Sequence, residues 1–255
     1  MPSPIRKTLW YLRRPSLYAH AMRKAYAALF HCKDQEDANA RANAWCSQRA
    51  VGTQSAIAAI TSSKEFESFD TQFAGILEQS EKIAATCPVK MGGRGNLDLL
   101  YQLTEYIQAR RVIETGVAYG WSSLAFLLSL KNRNGFLVST DLPYAGLNNE
   151  DFVGCVVPEE LHNYWMLLRG LDRQRVPEAI KLVGTMDLCH YDSDKSYSGR
   201  MWTYPRLWSA LRSGGIFISD DIGDNMGFAD FADKVAIKPV IVHSGGKYMG
   251  ILVKP

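Results

Sequence analysis

The sequence predicts an α/β fold: a mainly parallel sheet with helices on both faces, a helical N-terminal extension and an antiparallel C-terminal hairpin. Three observations carry this expectation. From residue 97 onward, short apolar runs alternate with longer segments of helical spacing, the order that sandwiches a parallel sheet between helical layers. Four of those runs, RVIETG, GFLVSTD, MDLCHYD and GIFISDD, carry an acid at or near their C-terminal end. The last two runs, PVIVHSGG and KYMGILVKP, meet at Gly245 and Gly246 and read as a hairpin, which adds an antiparallel edge.

The bulk composition is compatible with that fold. The chain has 255 residues, 47% hydrophobic and 22% charged, enough for one large domain with an extension. A net charge of +3 is too small to argue for nucleic acid. Cys32, Cys46, Cys87, Cys155 and Cys189 are scattered and include no CxxC pair, which argues against zinc and against a disulfide framework and suits a reducing cytoplasm. No apolar run approaches the ~18 residues of a membrane span, and the N-terminus has no apolar h-region, so a cytoplasmic protein without a secretory signal is expected.

The N-terminal third differs from the rest. Seven Lys or Arg precede the first acid, Asp34. Pro15 breaks one short helix from the next, and Trp10, Tyr11, Leu17, Tyr18, Met22 and Tyr26 form one face. Such a segment either lies on an anionic membrane or acidic partner, or packs as an arm on its own domain or on a second subunit; the packed arm is the commoner outcome. Residues 34–86 read as two polar helices with a break near Ser62, Ser63 and Lys64. The expected division is a helical extension over residues 1–86 and the main domain over residues 87–255. The main domain opens with CPVKMGGRGN, a Gly-rich stretch that suits a lid or a linker.

Within the main domain a helix over residues 97–110 leads into the strand RVIETG, the helix GWSSLAFLLSL and the strand GFLVSTD. Residues 158–175 read as helix. MDLCHYD is a strand, SYSGRMWTYPRLWSALRSG a helix, GIFISDD a strand, and residues 228–235 a short helix before the hairpin. Trp202, Tyr204 and Trp208 form the core face of their helix.

Two constellations bear chemistry. ETGVAYGWSS, residues 114–123, leaves the first parallel strand and opens a helix. Gly116 permits a tight turn, Gly120 lets the backbone approach a ligand, and helix N-terminal amides point at whatever sits there. The spacing is not GxGxxG, so the dinucleotide fingerprint is not met. Glu114 lies at the strand end, and Asp141 ends the next strand, where an acid accepts hydrogen bonds from ribose hydroxyls. The second constellation is HYDSDKSY with GIFISDDIGDN. Neighbouring parallel strands end about 5 Å apart, so Asp192, Asp220 and Asp221 converge, and a divalent cation such as Mg²⁺ would relieve their repulsion. Lys195 then sits at the rim, where a nearby dication disfavours its ammonium and makes it a base. His190 faces the same side as Asp192 but reads as a packed histidine; His243 takes no role, and a polar loop accounts for Asp224 and Asn225.

ETGVAYGWSSL, STD, DSDKSY and SGGIFISDD, in this order, resemble the Rossmann-like, Mg²⁺-dependent O-methyltransferases that use S-adenosylmethionine (SAM), of the catechol and caffeoyl-CoA type, and bacterial enzymes that methylate sugars and antibiotic precursors. The resemblance covers roughly residues 95–255. It implies that Glu114, Gly116, Gly120 and Ser122 line the SAM pocket and Asp141 holds the ribose. It implies further that Asp192, Asp220 and Asp221 bind the metal and Lys195 takes the proton from the acceptor. This sequence has Asp221 where the family has Asn.

One stretch departs from the pattern. In this fold the third parallel strand lies at an edge and the fourth beside the first, so a long crossover joins them. IKLVGTMDLCHYD leaves only Gly184, Thr185 and Met186 between two candidate strands. A shortened or rebuilt crossover is therefore expected, with weakened SAM binding as its consequence. The resulting expectation is an O-methyltransferase acting on a hydroxyl of a sugar or other small metabolite, Mg²⁺-assisted. The rival is a methyltransferase-like binding protein that has lost catalysis, and a nicotinamide oxidoreductase ranks last. The basic N-terminus leaves a peripheral membrane contact or a homo-oligomer open.

Overall fold

The computed structural model describes residues 3–22, 25, 32–63 and 65–255. Tyr26 and Lys64 lie outside the described residues. The described residues contain eight strands: β1 (Ala50–Val51), β2 (Arg111–Thr115), β3 (Phe136–Asp141), β4 (Trp165–Arg169), β5 (Met186–Tyr191), β6 (Leu211–Ser219), β7 (Val240–Ser244) and β8 (Lys247–Val253). They form one sheet in the order β1-β7-β8-β6-β5-β2-β3-β4. β6, β5, β2, β3 and β4 run parallel, whereas β8 is antiparallel to both β6 and β7. The predicted hairpin thus supplies the antiparallel edge.

Two hydrophobic layers form because successive strand residues point to opposite faces. Val112, Leu188 and Ile216 pack on one side with Leu99, Leu103 and Phe126. Ile113, Cys189 and Phe217 pack on the other with Val176, Tyr204 and Phe231. The first layer holds helices α6 (Leu97–Tyr106) and α7 (Trp121–Leu130); the second holds α8 (Asp172–Val183), α9 (Tyr197–Ala210) and α10 (Gly227–Lys234). Asn96 caps α6 by accepting the Leu99 amide, and Ser196 caps α9 by accepting the Gly199 amide.

Residues 32–85 hold more than two helices: α2 (Cys32–Ser47), α3 (Thr53–Thr61), α4 (Phe69–Gln72) and α5 (Ala74–Ala85), with β1 between α2 and α3. Ala50 and Val51 lengthen the sheet by pairing with Ile241 and Val242 of β7. A two-residue strand is too short to show a period, which is why it escaped the sequence pattern. Ahead of these lies α1 (Pro4–Leu12), which starts with Ser3 as its cap and Pro4 in its first turn. No described helix is long and apolar enough to cross a membrane.

The expected shortened crossover is absent, and the third parallel strand is present. It is β4, inside the segment read as helix, and it pairs with β3 from Leu137↔Trp165 to Asp141↔Arg169. IKLV is the end of α8, not a strand. Val176, Ala179, Ile180 and Val183 follow helical spacing and face the core, and Gly184, at φ +71°, ends the helix. α8 therefore carries the chain over β3 and β2 from β4 to β5 as an ordinary crossover. β4 misled the pattern because it is a short edge strand with no residue fully buried. The weakened SAM binding inferred from a missing segment loses its premise.

Candidate active site

A cleft of about 920 Å³ opens beyond the C-terminal ends of the parallel strands, where sheets of this kind bind ligands. Its wall includes Ser122, Asp141, His190, Asp192, Lys195 and Asp220. The volume suits a nucleoside-bearing ligand together with a small second molecule.

The glycine turn forms one wall. Gly116 (φ +82°) and Gly120 (φ +95°) both need the left-handed region. A Cβ on Gly116 would overlap the carbonyl oxygen of Asp192, so the turn from β2 lies directly on the turn from β5. The Asp192 amide donates to Thr115 at 2.8 Å, extending the strand pairing to this point. Asp141 faces the turn from β3: its Oδ1 accepts the amides of Val117 at 2.9 Å and Ala118 at 3.4 Å. Burial pushes the Asp141 carboxyl up, against those two amides, which lower it.

Glu114 does not reach the cleft. It is fully buried beneath the turn. Ser122 and Ser123 donate to its two oxygens, and Ser139 donates to Oε2 at 2.7 Å. The indole of Trp165, the first residue of β4, donates to Ser139 at 2.9 Å and so closes a chain from the edge strand to Glu114. Glu114 thus fixes the first turn of α7, and Ser122 alone of this pair lines the cleft. His190 lines the cleft, packs on Phe126 and holds Nδ1 3.8 Å from Glu114. Burial would lower its pKa; Glu114, then Asp220 and Asp192, outweigh burial and raise it.

HYDSDKSY resolves into separate tasks. Asp192 lines the cleft. Ser193 donates to Asp172 at 2.6 Å and lies 2.9 Å from the Thr115 hydroxyl. Asp194 accepts the Ser196 amide at 3.1 Å and packs so tightly on Gly199 that a Cβ there would overlap its carboxylate, so it shapes the start of α9. Lys195 contacts Asp221 and comes to 3.3 Å from Asp192.

The three aspartates expected to bind metal do sit at adjacent strand ends, but they face different partners. The Asp220 amide donates to Tyr191, and Asp220 Oδ1 accepts the Asp221 amide at 2.8 Å. Asp221, in the left-handed region at φ +50°, is gripped by Lys195 and by Lys247, whose Nζ is 3.0 Å from Oδ1. Arg200, fully buried on α9, donates to the Asp221 carbonyl at 2.7 Å and holds that turn from below. Among the described residues, no three His, Cys, Asp or Glu groups are disposed to hold a metal ion. As arranged, the donor set does not fit a divalent cation, because two ammonium groups already neutralise Asp221.

The electrostatics follow from these contacts. Burial, then the nearby Asp220, pushes the Asp192 carboxyl up to about 6. Burial alone would lower the Lys195 ammonium; Asp192 and Asp221 outweigh it and raise it. Lys195 is thus a firmly held cation, not the depressed lysine that a neighbouring dication would create. Asp221 runs the other way: burial would raise it, and Lys195 and Lys247 hold it below the ordinary carboxylate range.

Sequence reasoning missed Lys247, Arg200, Asp172 and the N-terminal roof. Lys247 and Arg200 lie in a hairpin and a helix with no motif around them. Tyr11 and His20 line the cleft. Their segment is anchored by Glu150, which accepts from the Trp10 indole and from Arg14, both at 3.1 Å. The Gly-rich stretch 92–96 also lines the cleft, with Arg94 tied to Asp70 and, at 3.0 Å, to Glu81.

Residues 113–222 match the sequence profile of a methyltransferase domain family. No curated protein matches the chain by sequence. The fold is that of O-methyltransferases of known structure. The O-methyltransferase from Bacillus cereus in complex with SAH superposes with a TM-score of 0.55 at 16% identity, covering 78% of this chain and 100% of that one. The O-methyltransferase TomG of tomaymycin synthesis from Streptomyces achromogenes, in complex with SAM, gives 0.54 at 18%, covering 73% and 96%. The SAH-bound methyltransferase PaMTH1 of Podospora anserina gives 0.53 at 16%, covering 89% and 97%.

Proposed function

We propose, from the premise that this chain is a SAM-dependent methyltransferase with the O-methyltransferase fold, that it transfers the SAM methyl group to a hydroxyl of a sugar or other small metabolite. The observation that carries this reading is the backbone contact between Gly116 and Asp192. It sets the glycine turn of a cofactor pocket directly against an acid in the same cleft, so donor and acceptor meet there.

SAM, when bound, supplies an electrophilic methyl on a sulfonium sulfur. Gly116 and Ser122 line the wall against which it would rest, and Asp141 would accept hydrogen bonds from its ribose hydroxyls; Gly120, expected in that wall, backs onto Gly154 and Val157 instead. Asp192 receives the acceptor's hydroxyl proton as the oxygen takes the methyl. Bound SAM would release its methyl with the C–S electron pair staying on sulfur, so that S-adenosylhomocysteine (SAH) would be the leaving group. The Lys195 ammonium stabilises the negative charge that develops on the acceptor oxygen. This assigns Lys195 the role of a cation in place of the expected base, because two carboxylates surround it.

Magnesium assistance is a second reading, favoured by one observation: Asp192 and Asp220 line the same cleft, close enough that Asp220 helps to push the Asp192 carboxyl up. A cation held by Asp192, Asp220 and Asp221 would require Lys195 and Lys247 to leave Asp221. The binding-protein reading drew its support from a missing crossover segment, and α8 removes that support.

Calorimetric titration with SAH, in Mg²⁺ and again in EDTA, tests the cofactor. Micromolar binding in both buffers is expected. No binding in either, with no cofactor carried through purification, would overturn the reading. Methyl transfer that survives EDTA would remove the magnesium reading, and transfer abolished by EDTA and restored by Mg²⁺ would establish it.

A further inference from the structure

We infer that α1 docks the protein on an anionic membrane surface, with the apolar stripe Ile5, Leu9 and Leu12 entering the headgroup region and Arg6 and Arg13 meeting lipid phosphates. α1 has two faces with opposite character. One is held by the protein: Trp10 is buried, its indole donates to Glu150, and Arg14 both reaches Glu150 and lies 4.2 Å over the Trp10 ring. Behind it the backbone at Arg6 lies so close to Gly146 that a Cβ there would approach to 3.1 Å. The other face is turned to solvent and is apolar. Ile5, Leu9 and Leu12 are 73%, 48% and 58% exposed, and their i, i+4, i+7 spacing puts them in one stripe. Tyr18 and Met22 extend the exposed apolar surface beyond the helix.

Charge decides what covers this stripe. Arg6 and Arg13 are exposed beside it, and no Asp or Glu precedes Asp34. In a two-fold contact between copies, α1 would face itself and bring these cations against their equivalents. An anionic bilayer offers hydrocarbon for the stripe and phosphates for its flanks together. α1 is far too short to span a bilayer, so the contact is peripheral. Because Tyr11 and His20 of the same segment line the cleft, the docked membrane lies beside the cleft mouth. The inference holds whichever hydroxyl the cleft methylates.

The test is co-sedimentation of the full chain with vesicles of phosphatidylcholine alone and of phosphatidylcholine mixed with phosphatidylglycerol. Pelleting with the mixed vesicles only is expected. The Leu9→Glu/Leu12→Glu double variant should lose about tenfold or more in apparent affinity, with unchanged melting temperature and SAH binding. Arg6→Glu/Arg13→Glu keeps the stripe and should lose the preference for phosphatidylglycerol, which supplies a second readout should the first variant be unstable. Wild type that stays in the supernatant with mixed vesicles would overturn the inference. So would a dimer on sizing that Leu9→Glu/Leu12→Glu converts to monomer, since a second copy would then cover the stripe.

Discussion

Lys247 Nζ lies 3.0 Å from Asp221 Oδ1, so the first residue of β8 holds the residue that follows the Asp220 strand end. The C-terminal hairpin is thereby part of the site. Lys247 is largely exposed, so its removal should hardly affect stability, about 1 kcal/mol or less. Its loss leaves Lys195 as the sole ammonium on Asp221. Lys247→Ala should lower kcat about tenfold and Lys195→Ala about a hundredfold or more, since electrostatic groups of this kind contribute that much. Both variants should bind SAH as wild type does. Single-turnover methylation and SAH calorimetry read the two quantities separately, and equal losses in both would put the lysines in cofactor binding instead.

Asp141 joins the glycine turn to the proposed ribose position. Asp141→Ala leaves the Val117 and Ala118 amides without their acceptor and removes the proposed ribose partner. SAH affinity should fall by roughly ten- to a hundredfold, about 1.5–3 kcal/mol. A dissociation constant within twofold of wild type would remove Asp141 from the cofactor site.

Asp172 gives a pH signature. Burial pushes its carboxyl up to about 6, whereas it titrates near ~3.9 in an unfolded chain. The folded state therefore binds this proton more tightly. Ionising Asp172 costs stability progressively from about pH 4 to about pH 6, on the order of 2–3 kcal/mol in full. Asp172→Asn cannot ionise yet still accepts from Ser193. It should raise the melting temperature at about pH 8, with the gain shrinking as pH falls toward ~4. A constant gain across that range would contradict this origin.

Asp187 has the opposite sign. Its Oδ2 accepts the Arg110 and Arg111 amides at 2.8 and 2.9 Å, and Arg212 Nε donates to Oδ1 at 2.6 Å. Burial alone would raise this carboxyl; the bonds hold it below the ordinary range. Its contribution is present above the unfolded value of ~3.9 and is lost as pH falls through the depressed folded value. Asp187→Ala should cost about 1–2 kcal/mol at neutral pH and flatten the acid limb of the denaturation curve. Urea melts at neutral and acidic pH would check both.

The fold was legible wherever burial on both faces produced apolar runs, as at Phe136 to Val138 and Ile216 to Ile218. β4 was not, because an edge strand with half-exposed residues carries no such run. The site was legible as strand ends: Asp141, Asp192 and Asp220 all line the cleft. Pairing across the chain was not. Glu114 reads as a cleft acid until Ser122, Ser123 and Ser139 are seen to surround it. Asp221 reads as a metal ligand until Lys247, 26 residues on, is seen beside it. Spacing along a sequence reveals which strand ends are acidic, but not which cations fold back to meet them.

The overlap that any Cβ on Gly116 would make with the Asp192 carbonyl means that the proposed donor pocket and the proposed proton acceptor share one backbone seam. Neither half can drift without dragging the other. On the proposed reading, the choice of acceptor falls to the opposite bank, to Tyr11, His20 and the stretch after β3, which line the same cleft outside that seam.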